Sequence, residues 1–172
     1  MRWLPINHTW DGQPAEPTEQ ALVGLQRLGS GLMLRIEAPD HGDPAPPGPA
    51  GHTPGLWDHE VVELFLCGPG QRYLEVELGP HGHHLVLLLD GVRQPVDSPA
   101  ALDVTWAHGP RRWTAQARLP ASWLPPRPWR ANAYAIHGTG DARRYLAATP
   151  VPGDGPDFHR IDLFPPLFIE DS

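Results

Sequence analysis

Lysine is absent from the chain, and all 13 basic residues are arginine. Without a lysine amine, Schiff-base and lysine general-base mechanisms are excluded. The simplest source of that bias is a GC-rich genome. Cysteine is limited to Cys67, which excludes an intrachain disulfide and a multi-cysteine zinc site. Long apolar runs are also missing. The longest, Leu85–Leu89, is flanked by histidines and Asp90, far short of the ~20 residues a membrane span needs. Met1-Arg2-Trp3-Leu4-Pro5 lacks the apolar stretch of a secretion signal, so the cytoplasm is the expected compartment. Positive charge is scarce as well. A net charge of −7 argues against a nucleic-acid backbone or an anionic membrane surface as partner.

What the chain has in abundance is turn formers. Glycine (18) and proline (23) are too frequent for a helical bundle and predict many turns. With 40% hydrophobic and 19% charged residues, the 172 residues suit one globular domain spanning 1–172. Strands are predicted at Pro5–Trp10, Ala21–Leu28, Gly31–Ala38, Leu56–Cys67, Arg72–Leu78 and His83–Asp90. Further strands fall at Val104–His108, Trp113–Leu119, Ala131–His137, Arg144–Ala147 and Phe158–Phe164, with one helical turn at Ala121–Leu124. About ten short strands with little helix point to an all-β fold, an antiparallel β-sandwich of immunoglobulin-like or jelly-roll type. A Pro/Gly/His loop over residues 39–55 has no periodicity, and a loop of that length in a compact domain is more often functional or mobile than filler.

Alternation along the strands sorts their residues into faces. Val62, Leu64 and Leu66 form an apolar row matched by Leu74, Val76 and Leu78, and these rows should face the core. The opposite face carries Trp57, His59, Glu63 and Phe65 beside Tyr73, Glu75 and Glu77. A solvated sheet face accounts for Glu75 or Glu77 taken singly. Glu63, the one charge between Val61 and Cys67, fits a site better. A flat aromatic ring with a few fixed polar groups is what a sugar-binding surface requires.

Ten histidines add candidates. His81, His83 and His84 are weak candidates to ligate a divalent metal, and solvated imidazoles at a hairpin tip are the better explanation of the cluster. No cofactor is otherwise expected. His137 and His159 each lie near a predicted strand end beside a loop, where sandwich sites are commonly built.

Trp57-Asp58-His59-Glu60-Val61-Val62-Glu63-Leu64-Phe65 resembles the central strand of carbohydrate-binding module family 9 and its DOMON-like relatives. Asn132–Gly138 and Pro156-Asp157-Phe158-His159 resemble that family's late and closing segments. His8-Thr9-Trp10-Asp11-Gly12, Tyr73–Leu78, His84–Leu89, Ala135–Gly138 and Pro150-Val151-Pro152 are similar to a small uncharacterised family with bacterial and animal members. The first resemblance implies a sugar clamp in which Trp57 stacks on the ligand and Glu63 hydrogen-bonds it. A polar neighbour falls near Glu75, and the second clamp position falls on or next to Phe158. Two readings follow. One is a binding module for a sugar or other polar metabolite through Trp57, Glu63, Glu75, His84, His137, Phe158 and His159. The other is a small cyclase, lyase or isomerase using Glu63, His137 or His159 as general acid and base.

Overall fold

The computed structural model describes residues 1–170. In chain order its strands are β1 (Arg2–Ile6), β2 (His8–Thr9), β3 (Ala21–Leu28), β4 (Gly31–Pro39), β5 (Gly51–His52), β6 (Val61–Cys67) and β7 (Arg72–Leu78). Then follow β8 (His83–Asp90), β9 (Pro95–Asp97), β10 (Asp103–His108), β11 (Arg112–Leu119), β12 (Trp129–His137), β13 (Arg144–Ala147) and β14 (Pro166–Leu167). One sheet has the order β1-β3-β4-β11-β10, and the other runs β2-β13-β12-β6-β7-β8-β5, with β14 on β12 and β9 on β8. Pairing is antiparallel except for the short β5–β8 contact. The expected antiparallel sandwich is the fold. No helix among the described residues is long and apolar enough to cross a membrane.

The core between the sheets follows the alternation rule. Val62, Leu64 and Leu66 from β6 and Leu74, Val76 and Leu78 from β7 lie in it. They meet Val23, Leu25, Leu34 and Ile36 from the other sheet. Gly29 and Gly109 turn the chain between β3 and β4 and between β10 and β11, as their positions predicted.

Several elements differ from the sequence reading. The predicted strand Leu56–Cys67 begins only at Val61; Leu56–Asp58 form a 3-10 turn, entered through Gly55 at φ +76°. Trp57 is therefore placed by this turn and not by strand alternation. Pro5–Trp10 splits at Asn7 into the ends of two strands that join different sheets. Phe158–Phe164 is not a strand and contains a 3-10 turn at Ile161–Leu163. The 39–55 segment is tied down rather than structureless. It contributes β5, and the amides of His41 and Asp43 donate to the Glu60 carboxylate.

The largest departure concerns the outer face of the larger sheet. Every residue of β6 is buried. Phe158, Phe164 and Val151, from the C-terminal segments, pack with Phe65, Tyr73 and Tyr134 into a second apolar cluster on that side. An antiparallel sheet with one wet face was the simpler expectation; here loops cover it and enclose a cavity.

Leu64 is fully buried at the sheet interface. Leu64→Ala should lower unfolding free energy by about 2–5 kcal/mol, read from urea denaturation. Val96→Ala on exposed β9 should stay within about 0.5 kcal/mol of the parent. Equal midpoints for the two variants would contradict the packing described.

Candidate functional site

Three carboxyl groups point away from the main core on β6 and β7. Glu63 pairs across the strands with Glu77, and Glu75 lies opposite Phe65. They are only 2%, 3% and 0% exposed for Glu63, Glu75 and Glu77, so the solvated-face reading of Glu75 and Glu77 is overturned. As carboxylates, both oxygens of Glu77, Oε1 of Glu63 and Oε2 of Glu75 would lack any donor. Like charges facing each other across a ladder are unfavourable, and isolated buried charges far more so. The cluster resolves this by keeping protons. Burial above all, and then Glu63 and Glu75, push Glu77 well above the usual carboxylate range. As an acid Glu77 donates to Glu75. Burial raises Glu75 to about 7 against the opposing pull of that bond and of Arg93. Glu63 is likewise raised well above its ordinary value by burial and by Glu75, with Arg143 opposing.

Glu63 and Glu75 form part of the wall of a cavity of about 470 Å³, which falls within the range of small-molecule sites. Trp57 stands at this cavity and is 45% exposed. Its turn is held by Arg143, whose guanidinium donates to the carbonyls of Trp57, Asp58 and Gly138, while Nε donates to Tyr145 Oη at 3.2 Å. Gly138 is required here. It sits at φ +79°, and a Cβ would come 2.3 Å from the Ala142 carbonyl oxygen. The guanidinium clasp thus fixes the Trp57 turn through backbone atoms and leaves the indole free.

The opposite wall is the 156–159 loop. Phe158 stacks on Tyr134 with centroids 3.9 Å apart and planes at 6°, and Tyr134 Oη donates to the Phe158 carbonyl at 3.1 Å. Arg93, in a left-handed conformation at φ 57°, pairs with Asp157 at 2.8 Å. The His159 amide donates to the same Asp157 oxygen. His159 Nδ1 is hydrogen-bonded to Tyr73 Oη at 2.7 Å, and Tyr73 Oη also accepts the Arg93 amide at 3.0 Å. His159 Nε2 is thereby turned toward Glu75 Oε2, 3.9 Å away. Burial first, then Arg93, lower the imidazole to about 4.

Of the sequence candidates, the structure brings Trp57, Glu63, Glu75, Phe158 and His159 to one cavity. His137 is not among them. It faces a separate, small space with Glu19, His41 and Glu60, donates from Nε2 to Glu19 Oε1 at 3.0 Å, and stacks on His41 at 3.6 Å. Glu19 is lowered to about 2, chiefly by its bonds to Arg144. This knot ties the 39–55 segment to β12. His84 is also elsewhere, bound through Nε2 to the Ala100 carbonyl. His81 and His83 are engaged separately with the Asp43 carbonyl and Thr53 Oγ1. Among the described residues no His, Cys, Asp and Glu side chains are grouped to hold a metal ion. Arg93, Arg143 and Tyr145 were missed by sequence reasoning, since each reaches the cavity from a turn or strand end with no motif of its own. Glu77 was visible but assigned to solvent.

The raised acids set a sign for the pH dependence of stability. A carboxyl whose native pKa is raised stabilises the fold below its unfolded value, near 4.5, and that stability is lost as pH rises through the native value, about 7 for Glu75. For Glu63 and Glu77 the loss continues higher. Glu77→Gln removes one such group while the histidines, common to both proteins, cancel. In urea denaturation its stability relative to the parent should rise by at least about 1 kcal/mol between pH 5 and pH 8. An unchanged difference would mean that Glu77 titrates as an ordinary carboxyl.

No family model matches the chain. Solved structures share the fold. One, from Bacteroides uniformis and named as a candidate carbohydrate-binding protein, superposes with a TM-score of 0.75 at 16% identity over 99% of this chain and 87% of its own. The other is a family 9 carbohydrate-binding module from Caldicellulosiruptor kristjanssonii in complex with cellotriose. It gives a TM-score of 0.55 at 13% identity over 86% of this chain and 72% of that one. In sequence, the human UPF0462 protein C4orf33 is 43% identical over 171 residues, covering 92% of this chain and 84% of the human protein. The homologue of Danio rerio is 40% identical over 168 residues, with 92% and 85% covered. At that level of identity along nearly the whole length, the chain belongs to the UPF0462 family.

Proposed function

We propose that the cavity binds a sugar or a comparable polyhydroxylated metabolite. The observation that carries this is the pairing of two nearly fully buried acids that line the cavity, Glu63 and Glu75, each with an oxygen that has no partner, with an exposed indole, Trp57, at the same cavity. Buried polar atoms without partners are costly unless a ligand or water completes them. A neutral polyol suits them, because acids that hold part of their protons can both accept from and donate to hydroxyl groups. An anionic ligand would meet the negative members of the cluster. The indole offers an apolar face for the C–H side of a sugar ring.

The names of the two structural neighbours support a carbohydrate ligand. Phe158, on or next to which the resemblance to family 9 modules puts the second clamp position, is committed to its stack on Tyr134. The site therefore depends on a single exposed indole, with the acids supplying more of the recognition than in a two-ring clamp.

Calorimetric titration with a panel of monosaccharides and short oligosaccharides tests the reading. Trp57→Ala should weaken binding at least about 30-fold, the loss of about 2 kcal/mol typical of a central aromatic contact. Its circular dichroism should match the parent, since the Arg143 clasp holds the backbone of the turn and not the indole. Undiminished affinity in this variant would refute the proposed site.

A further inference from the structure

One pair of groups in the cavity exceeds what binding alone requires. Glu75 Oε2 has no hydrogen-bond partner, and His159 Nε2 lies 3.9 Å from it. That gap is too long for a direct hydrogen bond. The gap suits two neighbouring oxygens of one ligand, such as the ring oxygen and the C1 hydroxyl of a hemiacetal, each within hydrogen-bond reach of one of the two atoms. Both groups are held in place. Tyr73 Oη fixes Nδ1 of the imidazole at 2.7 Å, Asp157 holds the His159 amide, and the ring packs edge-on against Phe65 at 5.2 Å. Glu75 is held on β7, opposite Phe65 of β6.

We propose that Glu75 and His159 make this protein a proton-transfer catalyst that opens and closes the hemiacetal ring of a bound reducing sugar, interconverting its anomers. The inference rests on the sugar-binding reading of the same cavity. In the opening direction, the carboxyl proton of Glu75 passes to the ring oxygen as the bond from that oxygen to C1 breaks. The hydroxyl proton on C1 passes to His159 Nε2, which is bare when the imidazole proton sits on Nδ1 against Tyr73. The electron pair of that O–H bond becomes the second bond of the C1 carbonyl. The products are an open-chain aldehyde, a Glu75 carboxylate and a His159 imidazolium. Rotation about C1–C2 presents the other carbonyl face. Closure then returns both protons, so no oxidant, reductant or co-reactant is consumed.

The surroundings suit this circuit. At rest, burial and Arg93 keep the imidazole neutral, and burial keeps a proton on Glu75 near neutral pH. As the proton leaves, the new carboxylate lies 3.9 Å from the new imidazolium. Their attraction in a water-poor cavity offsets the weakness of the resting base. Glu63 on β6, Glu77 and Tyr73 on β7, Asp58 in the Trp57 turn, Arg93 after β8, Arg143 before β13, Tyr145 on β13, and Asp157 are the other charged or titratable groups at the pair or its cavity. None of them enters the proton circuit.

The experiment follows anomer interconversion of D-glucose, D-galactose and D-xylose by NMR magnetisation exchange. Binding of the same sugars and of their methyl glycosides, which lack the proton on the C1 oxygen, is measured by calorimetry. The parent protein should accelerate interconversion of an aldose it binds, with the rate falling above about pH 7 as Glu75 ionises. Glu75→Gln and His159→Gln should each remove at least about 100-fold of the acceleration measured at saturating sugar, a loss larger than any loss of methyl glycoside affinity in the same variant. Aldose binding without acceleration, or acceleration untouched in both variants, overturns the catalytic inference and leaves the binding reading standing. Failure of every aldose to bind overturns both.

Discussion

Three acids enter the interior of this protein without a permanent cation placed against them, and the arrangement around the cavity follows from that constraint. A buried carboxylate with no cation or donor costs more than a small β-sandwich can spare. Protons, shared among Glu63, Glu75 and Glu77, make the burial tolerable. The arginines stay at the margin. Arg143 spends its donors on backbone carbonyls and Arg93 pairs with Asp157. The cluster is therefore left with unpartnered oxygens, and the cavity in front of it is where partners can arrive.

The same constraint explains the covering loops. Had the outer face of β6 and β7 been wet, Glu63, Glu75 and Glu77 would be ordinary surface carboxylates. The Tyr134–Phe158 stack and the Tyr73–His159 hydrogen bond bring the 156–159 loop across that face. They turn a sheet surface into an enclosed site. Family 9 modules and this chain share the sandwich, and a shared fold alone does not fix function. The site of this chain is made by the acid cluster and its closing loop.

Much of this was legible in the residues. Strands with clear alternation and glycine or proline boundaries, such as Arg72–Leu78 and His83–Asp90, are found where their pattern places them. Parity also put Glu63 and Glu75 on one face. It could not show that the face is dry, because the covering comes from a segment some 80 residues later whose pattern, Pro156–Phe164, has no period. Trp57 was identified through a strand that does not reach it. The 3-10 turn behind Gly55 delivers it to the same cavity by a different route. His137 was misplaced for a related reason. It stands at the end of β12 near Ile136, which lines both spaces, yet its ring turns to Glu19 and His41. Arg93 and Arg143 carried no signal, since a lone arginine after a turn is unremarkable in sequence.

The contacts that close the cavity are far apart along the chain. Tyr73 and His159 are separated by 86 residues, as are Trp57 and Arg143. Contacts of such high sequence separation form late, after the loops between them have been closed at an entropic cost. A nascent chain that has emerged only through β7 therefore displays its three glutamates to water as plain acids. Their unusual proton affinity comes into being only when the C-terminal third docks. The chemistry of this site is thus the last property the polypeptide acquires, and opening of the 156–159 loop would remove it without unfolding the sheets.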